Sequence, residues 1–579
     1  MKSFFEKQNL IKKVIIISAI IVFIIAILFY SFKKKTSFEN FKPLYNSSIL
    51  LPQSLKIGAV PRLLDFRHSF YTYGFSTGGA KDTNNFRENI KNGYFPISTD
   101  ITYNGLFYDY YFDTGKKTES EHLFSPSYSC AISKDPISYR NEYYMTVGLN
   151  SNIKESDFQR KKLNLVVVLD VSGSMDELFS SYHYDIFSNA SKNTLKSNDD
   201  KKSKMEIANE SVNILIDQLK GDDRFGLVLF EFEAKVEKQI ELVSEMDINN
   251  TKKRISAIKA DGGTNLEAGY TEATKLFEKY KISNKSEYEN RIILITDAMP
   301  NYGTTSKEGL LSLIKDNADE KIYTTFIGVG VDFNTKLIEE ISDVKGANYY
   351  SVHNSKEFKE RMGEQFNYMV TPLVFDLSLN LKSDDYNIEM VYGSDSANGN
   401  KGNLMKVNTL FPSKTTEKGE VKGGVVLVKL SQKGERKNGN IELKVQYKDR
   451  NGNEYNNTQT INFDKNEEFY DNSGIRKAIV LTRYANILKS WILFERTEDK
   501  RFMIGSNKGI VDVFYTEEEV TNILGEHERM SVGLKISEEY KEILRNMKEY
   551  ILKENKEIMD NGLKKEIEIL DELINYKKK

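Results

Sequence analysis

A chain of 579 residues with 82 Lys and Arg against 84 Asp and Glu is nearly neutral. Its length allows several domains, and its charge calls for no nucleic-acid partner. A single cysteine, Cys130, excludes an intrachain disulfide and cysteine-rich zinc sites, and five scattered histidines without a His-Glu-x-x-His pair give zinc hydrolysis no support. With 33 Phe and 33 Tyr the chain can fill large cores, which argues against global disorder.

In chain order, residues 14–30 are uncharged and apolar. With Ser31 and Phe32 they approach the roughly 20 residues that span a bilayer. Lys12 and Lys13 precede the segment; Lys33, Lys34 and Lys35 follow it. No small-residue cleavage site follows and no cysteine lies near, so an uncleaved transmembrane anchor is expected over residues 1–35. Basic residues nearly balance across it. Lys2, Lys7, Lys12, Lys13 and the amino terminus tip the balance to N-inside, which would place the bulk of a single-pass chain outside the cell.

Residues 36–160 read as a mixed stretch that turns β-rich. Residues 101–103, 106–112 and 143–149 are aromatic and β-branched runs between turn residues. Cys130 sits in one such strand-like segment, where a structural role is expected.

Residues 161–370 alternate strands with helices. Residues 163–169 are an almost unbroken apolar run, the mark of a strand buried on both faces. An amphipathic helix is expected at 205–219, with Ile207, Val212, Leu215, Ile216 and Leu219 on its stripe. Strands follow at 225–230, 291–296, 323–329 and 347–351, and helices at 266–280, 310–316, 335–341 and 356–366. The repeated unit predicts an α/β domain: a doubly wound, mostly parallel sheet with helices on both faces.

Residues 371–465 return to a β-sandwich-like pattern, with strands at 373–381, 421–430, 441–447 and 455–463. The last two flank Asn451 and Gly452, a hairpin signal. Residues 466–579 read as helical. The helix at 475–496 carries Ala478, Leu481, Ala485, Leu488 and Trp491 on an apolar face. A charged tail from Ser537 places Leu544, Met547, Ile551, Ile558, Ile567 and Leu570 at helical spacing. These helices are expected to pack on the β region, with a coiled-coil contact as the alternative.

The chemistry gathers at one edge. Asp170, Ser172 and Ser174 stand where the buried strand ends, and ligands of open α/β sheets bind beyond such ends. Thr264 lies in the glycine-rich loop 258–265, and Asp297 follows the strand at 291–296. Parallel strands open on the same edge, so the five residues can converge. Two carboxylates and three hydroxyls are hard donors that suit magnesium or calcium and leave the ion's shell incomplete. Ser, Thr and Asp also cap strand and helix ends, which would account for one of these elements but poorly for all of them.

Together the Asp-x-Ser-x-Ser motif at 170–174, the Gly-Gly-Thr-Asn loop at 262–265 and the Thr-Asp-x-x-Pro-Asn run at 296–301 resemble the von Willebrand factor type A (VWA) domain and its metal-ion-dependent adhesion site. The resemblance covers about a third of the chain. It implies that Asp170, Ser172, Ser174, Thr264 and Asp297 are metal ligands for magnesium, with calcium or manganese as alternatives. Ala298 departs from the glycine common there, and residues 177–203 form a polar insert springing from the motif. Segments 104–115 and 408–413 resemble bacterial VWA-containing surface proteins. The strands on both sides are expected to form one discontinuous sandwich, into which the VWA domain is inserted.

The implied function is a membrane-anchored adhesion or receptor-like protein, in which an acidic group of a protein ligand completes the cation's shell. A scaffold of a cell-envelope complex and a VWA partner of an AAA ATPase are the alternatives. No histidine or lysine base is placed by motif beside Ser172 or Ser174, so an enzyme is not expected.

Overall fold

The apolar run forms the strand Lys162–Asp170, in which every residue after Lys162 is buried. It pairs in parallel with Tyr288–Thr296 on one side and Arg224–Phe230 on the other. The whole sheet runs Gly79–Ala80, Asn348–Val352, Ile322–Val329, Tyr288–Thr296, Lys162–Asp170, Arg224–Phe230, Ala234–Leu242. Only the last is antiparallel to its neighbour.

Alternate residues of the central strand serve two cores. Leu165, Val167 and Leu169 pack with Val212 and Leu215 of the helix Lys204–Ile216 and with Phe358 and Met362. Val166 and Val168 pack with Leu266, Tyr270, Leu310 and Ile314 on the other face. Each such side chain contributes roughly 1.5–3 kcal/mol through burial. This is the doubly wound arrangement expected from the sequence.

The computed structural model describes residues 72–115, 123–179, 201–280, 287–297, 307–330, 344–393, 403–496 and 533–577, with short gaps at 78, 81–82, 138, 155–157, 353 and 435–438, together with Gly303 and Ile341. The apolar segment 14–30, most of the insert, nearly all of the helix expected at 335–341 and all five histidines lie outside the described residues. Among the described residues no helix is long and apolar enough to cross a membrane.

The strands on either side of this domain pair with each other. One sheet runs Glu454–Asn462, Asn440–Asp449, Val374–Lys382, Asn403–Ser413, Thr72–Thr77, Asn150–Lys154; the other runs Tyr386–Tyr392, Val425–Gln432, Asn141–Gly148, Ser127–Lys134, Phe469–Tyr470. Phe75, Met145 and Val147 from before the α/β segment share one core with Leu377, Val428 and Leu443 from after it. Cys130 is buried in this core, and burial first, then Asp471, pushes its thiol well above the ordinary range.

Three expectations are corrected. Residues 101–103 and 106–112 are not extended runs: a helix, Tyr103–Tyr108, is capped by Thr102, whose hydroxyl accepts from the Gly105 amide at 3.0 Å, and only Tyr111–Phe112 is strand. Packing of Leu106 and Phe107 in the interior overrides their β propensity. The helix Ser473–Arg496 is buried nearly all round rather than on one stripe, because Glu538–Ile558 covers the side away from the sandwich. In Lys564–Asn575 the buried apolar positions are Ile569, Leu570 and Leu573 rather than Ile567, and Glu566 is buried with them. A strand that was not expected, Ala234–Leu242, closes the mostly parallel sheet; its alternating charges suit a half-exposed edge.

Candidate functional site

Asp170 closes the central strand and is fully buried. The chain turns sharply after it. The Val171 amide donates to the Phe230 carbonyl at 2.9 Å, and the Asp261 amide donates to the Val171 carbonyl at 2.7 Å. Within the turn, Asp170 Oδ1 accepts from the Ser172 amide at 2.8 Å, and Oδ2 accepts from Thr296 Oγ1 at 2.5 Å. Ile295 stands opposite Leu169 in the sheet register, which brings Thr296 level with Asp170.

Ser172 leads into the 3-10 turn Gly173–Asp176. Its Oγ lies 3.1 Å from Ser174 Oγ, and Ser174 Oγ donates to Asp297 Oδ1 at 3.0 Å. Asp297 is itself buried, directly beyond Tyr288–Thr296. The glycine-rich loop docks on this turn where the Gly173 amide donates to the Gly262 carbonyl at 3.0 Å. Gly262 has a φ of +86°, and a side chain there would collide with Glu231. Thr264, two residues on, is buried, and Asn265 caps the helix Leu266–Leu276 through the Ala268 amide at 3.2 Å.

The structure thus joins Asp170, Ser172, Ser174 and Asp297 in one succession of hydrogen bonds, with the Thr264 loop pinned against it. The carboxyl of Asp170 is pushed up to about 7, first by burial and then by the carboxylate of Asp297; hydrogen bonds from Thr296 and Ser172 oppose the rise. Two buried acids side by side, one of them raised by the other and surrounded by hydroxyls, fit a hard divalent cation, which would offset both burial and repulsion. Among the described residues no group of three or more His, Cys, Asp or Glu is placed to hold a metal, so a cation here depends on hydroxyl oxygens as well.

Sequence reasoning missed three neighbours. Thr296 is adjacent to Asp297 and was visible only as a strand end. Glu177 and Lys204 frame the site from the two ends of the insert, which meet where Leu178 pairs with Ser203. Lys204 Nζ donates to Asp297 Oδ2 at 3.1 Å and to Glu177 Oε2 at 3.4 Å, with its side chain only 2% exposed. A signal existed: a lysine in the first turn of a helix opposes the helix dipole and asks for a local anion.

Residues 165–299 match the family model of the von Willebrand factor type A domain, so the chain contains such a domain. An inter-alpha-trypsin inhibitor heavy chain of Mesocricetus auratus is 24% identical over 223 residues, covering 38% of this chain and 21% of that protein. The uncharacterized protein YfbK of Escherichia coli (strain K12) is 24% identical over 227 residues, covering 38% of this chain and 33% of that protein. The matches therefore span a third or less of these two relatives. Among solved structures, a von Willebrand factor type A protein from Catenulispora acidiphila aligns over 64% of this chain and 82% of its own, at 15% identity and a TM-score of 0.38.

Proposed function

We propose that this is a membrane-anchored, cation-dependent adhesion or receptor-like protein. Asp170, Ser172, Ser174, Thr264 and Asp297 hold a divalent ion, magnesium first, and an acidic group of a protein partner takes the remaining position. The observation that carries this reading is the run of hydrogen bonds from Asp170 to the Ser172 amide, and from the Ser172 hydroxyl through that of Ser174 to Asp297, at the open edge of a parallel sheet. Five protein oxygens fall short of a full shell of six or more, which leaves room for a partner's oxygen. VWA domains commonly serve protein interaction and often bind a divalent cation at such a site, which supports the reading.

The anchor and an extracellular placement rest on the apolar segment 14–30 and its flanking lysines. Protease accessibility on intact cells tests the placement: shaving of the bulk of the chain is expected, and full protection overturns it. Asp170→Ala is expected to abolish partner capture in a magnesium-dependent pulldown. Capture that survives both this substitution and EDTA overturns the metal-dependent reading.

One observation favours a second reading, a scaffold in an envelope complex. Gly79–Ala80, just after a sandwich strand, adds in parallel to Asn348–Val352 and so ties the VWA sheet to the sandwich. A magnesium-dependent rise in melting temperature without magnesium-dependent capture would support the scaffold instead.

A further inference from the structure

The charge on Asp297 is already engaged by a residue of this chain. Lys204 begins the helix Lys204–Ile216, where Ser203 accepts from the Glu206 amide at 3.2 Å and the Ser203 amide donates to Glu206 Oε2 at 2.9 Å. That reciprocal cap fixes the first turn and with it the direction of the lysine stem. The stem runs past Gly330, at the end of the strand Ile322–Val329. Gly330 has a φ of +93°, and a Cβ there would stand 2.9 Å from Lys204 Cε.

Both features carry a cost. An ammonium at a helix N-terminus meets the positive end of the dipole, and burying it loses its hydration. Asp297 and Glu177 offset that loss, so the helix sets the root of the stem and the site holds the ammonium.

We propose that Lys204 is a positioning and specificity-determining residue of the cation site; the proposal rests on the reading of that site given above. Its ammonium occupies Asp297 Oδ2, so Oδ1 stays turned to Ser174 and toward the ion. Its charge has a second effect. The carboxylates of Asp170 and Asp297 together balance a divalent ion, and the ammonium adds one positive charge to that balanced set. Counting Glu177 at the rim, the loaded site is neutral overall, but its buried end keeps a positive charge beside the ion, and that charge favours an anionic group at the open position. The same charge repels the metal, so the ion is held less tightly alone than with its acidic partner. Glu177, partly exposed at the rim, moderates the lysine from the other side.

The test uses the full chain in detergent, with Mn2+ as the probe ion and acetate as the probe carboxylate. Calorimetric titration reads Mn2+ affinity. Loss of water-proton relaxation enhancement reads the entry of acetate as coordinated water leaves. Lys204→Met is expected to bind Mn2+ about tenfold more tightly and acetate about tenfold more weakly, because one charge beside the ion has been removed. Lys204→Arg keeps the charge and is expected to hold both affinities within about threefold. If Lys204→Met does not fold, Glu177→Gln decides: Mn2+ weaker and acetate tighter, each by about threefold, in reverse of the lysine variant.

Unchanged affinities, or a loss of both together as a merely structural lysine would give, overturn the proposal. A parent chain that binds no Mn2+ defeats the cation-site reading itself. A parent that binds Mn2+ beside indifferent variants defeats only the role of Lys204.

Discussion

Of the regions in which this molecule buries charge, two do so in opposite ways. Where the helices Thr83–Lys91 and Lys564–Asn575 meet, Arg87 lies between two acids. Its Nη1 is 2.8 Å from Asp109 Oδ2, its Nη2 pairs with Glu566, and Tyr110 donates to Glu566 Oε1 at 2.6 Å. Burial would raise the carboxyl of Asp109, but the guanidinium of Arg87 and then Lys565 outweigh it and hold it at about 2. At the edge of the VWA sheet the balance is reversed. Burial and the carboxylate of Asp297 push Asp170 up to about 7, and the nearby lysine engages Asp297 instead. The first cluster satisfies its own charges and behaves as a fastener. The second leaves a surplus of negative charge among hydroxyls, which is the condition for taking up an ion.

Four substitutions put that contrast to the test. The largest effect is expected from Glu566→Ala, which removes one of the two acids that hold the buried Arg87 and the acceptor of Tyr110, and costs about 3–5 kcal/mol of stability. Thermal melts should show it, with Mn2+ affinity per folded molecule unchanged; a lost Mn2+ response would mean that the two regions are not separate.

Asp109→Asn comes next. The folded carboxyl lies below its ordinary range, so its contribution is present above about pH 4 and disappears as pH falls toward 2. The variant is expected to lose about 2 kcal/mol at pH 7 and to approach the parent near pH 2. A difference that is constant across that window would show that charge is not the cause.

Asp170→Asn should behave in the opposite sense. In EDTA at pH 7 it is expected to gain about 1–2 kcal/mol, since a strained buried acid is neutralised, while the magnesium-dependent rise in melting temperature disappears. A variant less stable in EDTA than the parent would place Asp170 with the fasteners.

The smallest effect belongs to Ser203→Ala. Losing the cap of the Lys204 helix is expected to cost about 1 kcal/mol. Mn2+ affinity should move by less than the change seen on removing Lys204 itself, because the ammonium is still paired with Asp297 and Glu177. A larger shift in affinity than Lys204→Met produces would transfer the positioning role to the cap.

Much of the VWA segment was legible because its signals are local. The central strand is apolar without interruption, since both faces are covered, and its end is marked by residues that a hydrophobic strand has no reason to carry. The edge strand Ala234–Leu242 was missed although its alternation was present. The helix Tyr103–Tyr108 was missed because its aromatic residues fit either state until a buried surface selects one. The Arg87 cluster was beyond reach, since Arg87 and Glu566 are 479 residues apart.

The alternation of strands and helices, the edge at which Asp170, Ser172, Ser174, Thr264 and Asp297 gather, and the hardness of the donors there are written along the chain. These follow from local periodicity and from the rule that parallel strands open together. The tertiary structure alone decided which acid is paired and which is not. Lys204 reaches Asp297 across 93 residues of chain, and Arg87 meets Glu566 across far more. The free energy of a buried charge depends on what folding brings within a few ångströms, and no pattern along the chain records that.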